Sequence, residues 1–161
     1  MPVNALKDFL DRNNIKYVTI THSIAYTAQG IAALTHTRGK ELAKTVMVKV
    51  DGALAMAVVP ASWRVSLEML REGAGASSVE LASEGDFFNH FPGCETGAMP
   101  PFGNLYGMAV FVDEGLAREK EIVFNAGSHR ELMRMSYEDF ERLVEPRRLK
   151  LVARANSAHA A

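Results

Sequence analysis

Lys44-Thr45-Val46-Met47-Val48-Lys49-Val50-Asp51-Gly52-Ala53-Leu54-Ala55-Met56-Ala57-Val58-Val59-Pro60 is the stretch from which the fold can be read. Two apolar runs flank Asp51-Gly52, a strong signal for a tight turn between paired strands. Pro60 has no amide hydrogen to give to a ladder, so the second strand is expected to end there. Upstream, Leu6, Phe9 and Leu10 share one helical face over residues 3 to 13, and Asn13-Asn14 closes that helix. Lys16 to Thr21 alternates and is rich in β-branched residues, which predicts a strand. Thr27 is placed to cap a second helix carrying Ile31 and Leu34, with a further turn running through Leu42.

Downstream, the pattern predicts a helix around Val65 to Arg71, a short strand at Val79 to Leu81 and another helix starting near Glu84. Pro92 to Gly107 is punctuated by glycine and proline and reads as an ordered loop. Strands follow near Met108 to Val112 and Glu121 to Asn125. Ser136 can cap a last helix from Tyr137 to Val144, with Asp139 at the capping-box spacing and Pro146 beyond its end. Helices interspersed with hairpin-linked strands, without regular βαβ alternation, indicate an α+β domain with a mixed sheet.

The chain has 161 residues, of which 48% are apolar, so one core-forming domain over residues 1–154 is expected, with 155–161 as a frayed tail. A net charge of −1 argues against a protein that coats DNA or other nucleic acid nonspecifically, since that relies on broad positive charge. Local basic groups remain, at Arg38, Lys40, Lys44 and Lys49 and at Arg147, Arg148, Lys150 and Arg154, and could hold an RNA backbone if they share a face. Cys94 is the only cysteine, which suits a reducing compartment. The first residues lack the pattern of a signal peptide, and no stretch approaches the roughly 20 apolar residues that cross a bilayer. The expectation is a cytoplasmic protein with no membrane partner.

Three stretches could carry chemistry. Lys44 stands at a strand entrance beside apolar residues, where an ammonium can be offered to a phosphate, carboxylate or oxyanion. Lys49, five residues on, points to the opposite face of an ideal strand. Gly97-Ala98-Met99-Pro100-Pro101-Phe102-Gly103 combines glycines that let backbone amides approach a ligand with prolines that stiffen the loop. Asn125-Ala126-Gly127-Ser128-His129 follows a strand, and His129 could orient a polar group or move a proton. Each also has an ordinary structural reading. His22, His36, His90 and His159 show no metal-ligand spacing with one another or with Cys94, and no cofactor motif is present. Ser62, Ser66 and Ser128 lack a nucleophile elbow, and nothing in sequence supplies a base for Cys94.

The order of these segments is more specific than any one of them. Leu42-Ala43-Lys44-Thr45-Val46, the hairpin ending Val58-Val59-Pro60, the Gly97 to Gly103 loop and Phe124-Asn125-Ala126-Gly127-Ser128-His129 together resemble the YbaK/ProX family, freestanding relatives of the editing domain of bacterial prolyl-tRNA synthetases. The resemblance runs from about Ala5 to Val144. It implies a mixed, barrel-like sheet flanked by helices and metal-independent hydrolysis of mischarged aminoacyl-tRNA, without a cofactor. It makes Lys44 the essential lysine, with Gly97 and Ala98 beside the ester as amide donors. Pro100 and Gly103 fall in the same loop, and Gly127 and His129 match the late motif of the alanine-editing branch, whose histidine helps form the aminoacyl pocket; Ser128 between them, and Lys49 on the other strand face, are expected as further contacts to substrate. The cysteine-editing branch carries a tyrosine near Ile20 and an aspartate near Leu132, which favours alanine or another small residue on tRNA(Pro) here. A prolyl-tRNA synthetase is the implied partner. Three rivals remain: a noncatalytic module that binds the tRNA acceptor end, a Schiff-base reaction at Lys44 and a Cys94 hydrolase.

Overall fold

The computed structural model describes residues 2–21, 40–95 and 97–153. Its centre is the hairpin of β2 (Ala43–Val50) and β3 (Ala53–Pro60), paired from Ala43↔Pro60 to Val50↔Ala53. Asp51 and Gly52 both adopt left-handed backbone, at φ 50° and 85°, as the twist of a two-residue hairpin demands. Asp51 Oδ1 accepts the amides of Ser77 and Ser78 at 2.9 Å each, which fastens this turn to the approach of β4 (Val79–Leu81). β4 then pairs with the far end of β2.

On the other side, β5 (Ala109–Asp113) runs parallel to β3, and β8 (Arg147–Leu149) runs parallel to β5. β3 is therefore covered on both faces, which explains its nearly unbroken apolar run: Ala55 to Pro60 is all buried. One face packs Met56 and Val58 against Leu6 and Leu10 of α1 (Pro2–Arg12) and against Phe102, Phe124 and Phe140. The other packs Ala55, Ala57 and Val59 against Leu151 and against Leu70 of α2 (Leu67–Ala74).

A second, antiparallel sheet has the order β1 (Tyr17–Thr21), β7 (Glu131–Ser136), β6 (Glu121–Asn125). The sheets meet at a single parallel bridge, Leu42 to Val123, flanked by hydrogen bonds from Val123 N to Glu41 O (2.9 Å) and from Ala61 N to Leu42 O (2.8 Å). The architecture is the expected α+β arrangement of mixed strands and helices. In place of a barrel, the described strands form two sheets joined at one point. Leu42 belongs to that bridge and not to a helical turn; the helix expected from Thr27 lies outside the described residues.

The remaining elements are α3 (Glu84–Phe87), α4 (Glu114–Ala117) and α5 (Tyr137–Val144). Ser136 caps α5 by accepting from Asp139 N, as its spacing indicates. Ser66 caps α2, which starts two residues later than expected. β7, β8 and α4 have no counterpart in the sequence reading. β8 is built partly from the basic pair: Arg147 donates to the carbonyls of Gly73 and Ala74 at the end of α2, and Arg148 pairs with Glu141.

Within the glycine-proline loop, Gly103 is buried, and a methyl group there would stand 2.6 Å from both Met108 O and Val110 Cγ2. The oxygen is backbone and cannot yield as a side-chain tip would. Gly103→Ala is therefore expected to lose about 1–3 kcal/mol to overpacking. Thermal denaturation should show this as a melting point lowered by several degrees; an unchanged melting point would show that the loop relaxes freely.

Candidate active site

β2 has different neighbours at its two ends. Val48 to Val50 pair with β4, whereas Leu42 is bridged to β6. Because the bridge is parallel, the next residue on the same face is Lys44 on one chain and Asn125 on the other. The face itself is apolar where it begins: Leu42, Val123 and Leu132 are buried together, with Ile20 and Ala61 packed against them. Leu132 is the register partner of both Ile20 and Asn125. Ile20, Leu132 and Asn125 thus form one cross-strand row beside the start of β2.

Lys44 is half-buried. Burial holds its ammonium below the ordinary lysine value, and the positive charge of Arg64 pushes in the same direction. Lys49 is on the opposite face, as strand alternation requires, and forms an ion pair with Asp86 at 3.1 Å. Hydrogen bonds from the Ser83 backbone and side chain, and then from Lys49, hold Asp86 at about 2. The two lysines therefore do not share a site.

Beyond Asn125 the chain turns through Gly127, at φ 105°, and meets the loop at Gly97, at φ 84°. Both values lie in the region that favours glycine. Gly127 N donates to Ala98 O and Glu95 N donates to Gly127 O, each at 2.9 Å, so the segments are laced together. His129 N donates to Glu95 Oε2 at 3.2 Å, and the imidazole lies over Gly97, with Cε1 3.6 Å from where a methyl on that glycine would be. Ser128 Oγ accepts from Arg130 N. The structure thus joins Gly97, Ala98, Gly127, Ser128 and His129 in one cluster at the end of β6.

Not every residue of the loop is placed for its expected role. The Ala98 amide donates to Glu95 O at 3.0 Å and the residue is 0% exposed, so that amide is committed to the fold. Gly97 N has no acceptor among the described residues. Pro100 and Gly103 are buried and serve the packing of the loop. Cys94 is half-buried, and desolvation raises its pKa against the smaller lowering effect of a hydrogen bond with Tyr106. Burial, followed by Cys94, pushes Tyr106 up to about 12. A thiol in such surroundings is a poor nucleophile. His22, His36, Arg38, Arg154 and His159 lie outside the described residues. Arg64 and Asn125 are the two neighbours of Lys44 that received no role from sequence; Asn125 heads the motif containing His129, and only the bridge shows why it stands first.

The aminoacyl-tRNA editing domain family matches this chain over residues 22–143. The chain belongs to that family. The match contains Lys44, the glycine-proline loop and the His129 motif, and it ends within α5. The family's activity in general is deacylation of aminoacyl-tRNA. No curated protein sequence matches the chain. Among solved structures, a hypothetical protein superimposes with TM-score 0.81 at 20% identity, covering 92% of this chain and 99% of its own. A candidate trans-editing enzyme for prolyl-tRNA synthetase gives TM-score 0.79 at 18% identity, covering 94% and 97%. A candidate signal transduction protein from Marinobacter aquaeolei gives TM-score 0.74 at 18% identity, covering 97% of this chain and 32% of that one. At such identities the likeness is one of fold. Among the described residues, no helix of this editing domain is long and apolar enough to cross a membrane.

The position of Arg64 generates a test that needs no substrate. Lys44 should titrate below the ordinary lysine value, and Arg64→Ala should move it upward, because removing a nearby positive charge favours the ammonium. NMR of 13C-labelled lysine across an alkaline pH series measures both; a Lys44 signal unmoved by Arg64→Ala would dissociate the two charges.

Proposed function

We propose that this editing domain acts in trans as a deacylase of mischarged tRNA carrying a small amino acid, with alanine on tRNA(Pro) as its first candidate substrate. The observation that carries the reading is the cross-strand row beside Lys44. Ile20 and Leu132 are the two positions where the cysteine-editing branch has tyrosine and aspartate, and here they are register partners in one aliphatic cluster. An apolar wall of this kind suits a methyl side chain and offers nothing to a polar one. Double-sieve logic then assigns the exclusion of proline to bulk.

An aminoacyl ester is already activated, so positioning and charge stabilisation carry the reaction without a bound metal. Lys44 holds the terminal adenosine or its phosphate. The Gly97 amide, and not that of Ala98, supports the negative charge that develops on the carbonyl oxygen. Water attacks the carbonyl carbon; the bond to the ribose oxygen breaks, that oxygen takes a proton, and the free amino acid leaves. His129 lies over Gly97 and forms one wall of the pocket. A cleft of about 450 Å³, lined in part by Lys40, Pro60, Trp63 and Arg118, opens at the Ala43–Pro60 end of the hairpin and supplies cations and an aromatic ring for an RNA end. A prolyl-tRNA synthetase delivering the substrate, and a cytoplasmic setting, follow from this role.

The test is deacylation of Ala-, Cys-, Ser- and Pro-tRNA(Pro) by the purified protein. Alanyl-tRNA should be lost fastest and prolyl-tRNA spared, and Lys44→Ala should lower the rate about 10²–10³-fold, the usual effect of removing a charge-stabilising group. Binding of tRNA with no hydrolysis of any of the four would identify the protein as an acceptor-end binding module instead.

A further inference from the structure

Asn125 Oδ1 is buried and has no hydrogen-bond partner among the described residues. Its register partner on β7 is Leu132. A buried acceptor left unpaired weakens a fold, while an apolar residue of similar shape carries no such penalty. A leucine would fit this row as Leu132 does. The carboxamide is therefore kept at the expense of stability, with its acceptor unpaired among the described residues.

The donor must come from what enters the site, and in this respect the inference rests on the deacylase reading. The reacting end of an aminoacyl-tRNA carries few donors. Its ester oxygens and phosphates only accept, which leaves the terminal nucleoside, through its ribose hydroxyl and adenine amino group, and the α-ammonium. The row decides between them. A small side chain seated against Ile20 and Leu132 has its α-carbon one bond away, and the ammonium is attached to that carbon. Leu132 pairs directly with Asn125, so the ammonium falls next to the carboxamide, while the ribose extends toward Lys44 and Gly97. We infer that Asn125 Oδ1 accepts a hydrogen bond from the α-ammonium of the aminoacyl group, so that the pocket selects substrates with a free amino terminus.

The inference predicts an interaction between one residue and one substrate group. Three esters on the same tRNA separate the cases: alanyl, N-acetylalanyl, and lactyl prepared by deaminating alanyl-tRNA with nitrous acid. Wild type should hydrolyse alanyl-tRNA at least about tenfold faster than the other two, in line with a charge-assisted hydrogen bond. Asn125→Ala should reduce the alanyl rate to the lactyl rate and leave the lactyl rate unchanged. Asn125→Asp, which keeps an acceptor, should recover much of the preference. Asn125→Leu should melt no lower than wild type. Equal slowing of all three esters by Asn125→Ala, no slowing at all, or a lowered melting point for Asn125→Leu would each overturn the assignment while leaving the deacylase reading intact. Wild-type protein inert toward every ester would overturn both.

Discussion

The bridge between Leu42 and Val123 is the contact on which the site depends. Either sheet can be assembled without it: the hairpin organises one, and β7 organises the other. Neither alone brings Lys44 and Asn125 to one face. At the bridge the first residues of β2 take β6 as a parallel neighbour, with the amide of Val123 donating to Glu41 and that of Ala61 donating to Leu42. The face that begins as a buried aliphatic cluster then becomes polar at Lys44 and Asn125. A half-buried ammonium, an unpaired amide oxygen and an aliphatic wall stand within a few residues of one another because two sheets share one ladder rung.

Around that junction, glycine does a job no other residue could. Gly97 and Gly127 both hold positive φ, and the hydrogen bonds between Glu95, Gly127 and Ala98 tie their loops into one unit. Packing then takes up the rest of the loop: Pro100, Pro101 and Gly103 are buried, and Phe102 is part of the main core. A stiff loop anchored from below can hold one amide steady, and steadiness is what electrostatic stabilisation of a developing charge requires.

Much of this was legible in the sequence where one local rule dominated. Asp51-Gly52 allowed hardly any other turn, Ser136 with Asp139 marked the start of α5, and Val79 to Leu81 was read with its observed limits. The failures share a cause. β7 has Glu131 and Arg134 within it and methionines where β-branched residues would be expected, so nothing local marks it as a strand; its place between β1 and β6 makes it one. β8 reads as a basic surface because Arg147 and Arg148 look solvated, yet Arg147 is bound to carbonyls at the far-off end of α2 and Arg148 to Glu141 of α5. For the site, motif order identified the two loops that meet, but not which amide is already used: Ala98 is spoken for by Glu95, only three residues away. That Ile20 and Leu132 meet follows from strand register, which no single segment contains.

The parallel bridge also bears on how the molecule comes into being on the ribosome. The β2–β3 hairpin is local and can form early, whereas β6 begins 61 residues beyond its end, and contacts between distant segments form slowly. Until β6 is synthesised and docks, the beginning of β2 has no partner on that side, Lys44 is an ordinary solvated lysine, and there is no aliphatic wall. The buried aliphatic cluster and the polar pair beside it therefore arise together, late in synthesis. Half-burial of Lys44 is a property of the finished fold and not of the hairpin that carries it.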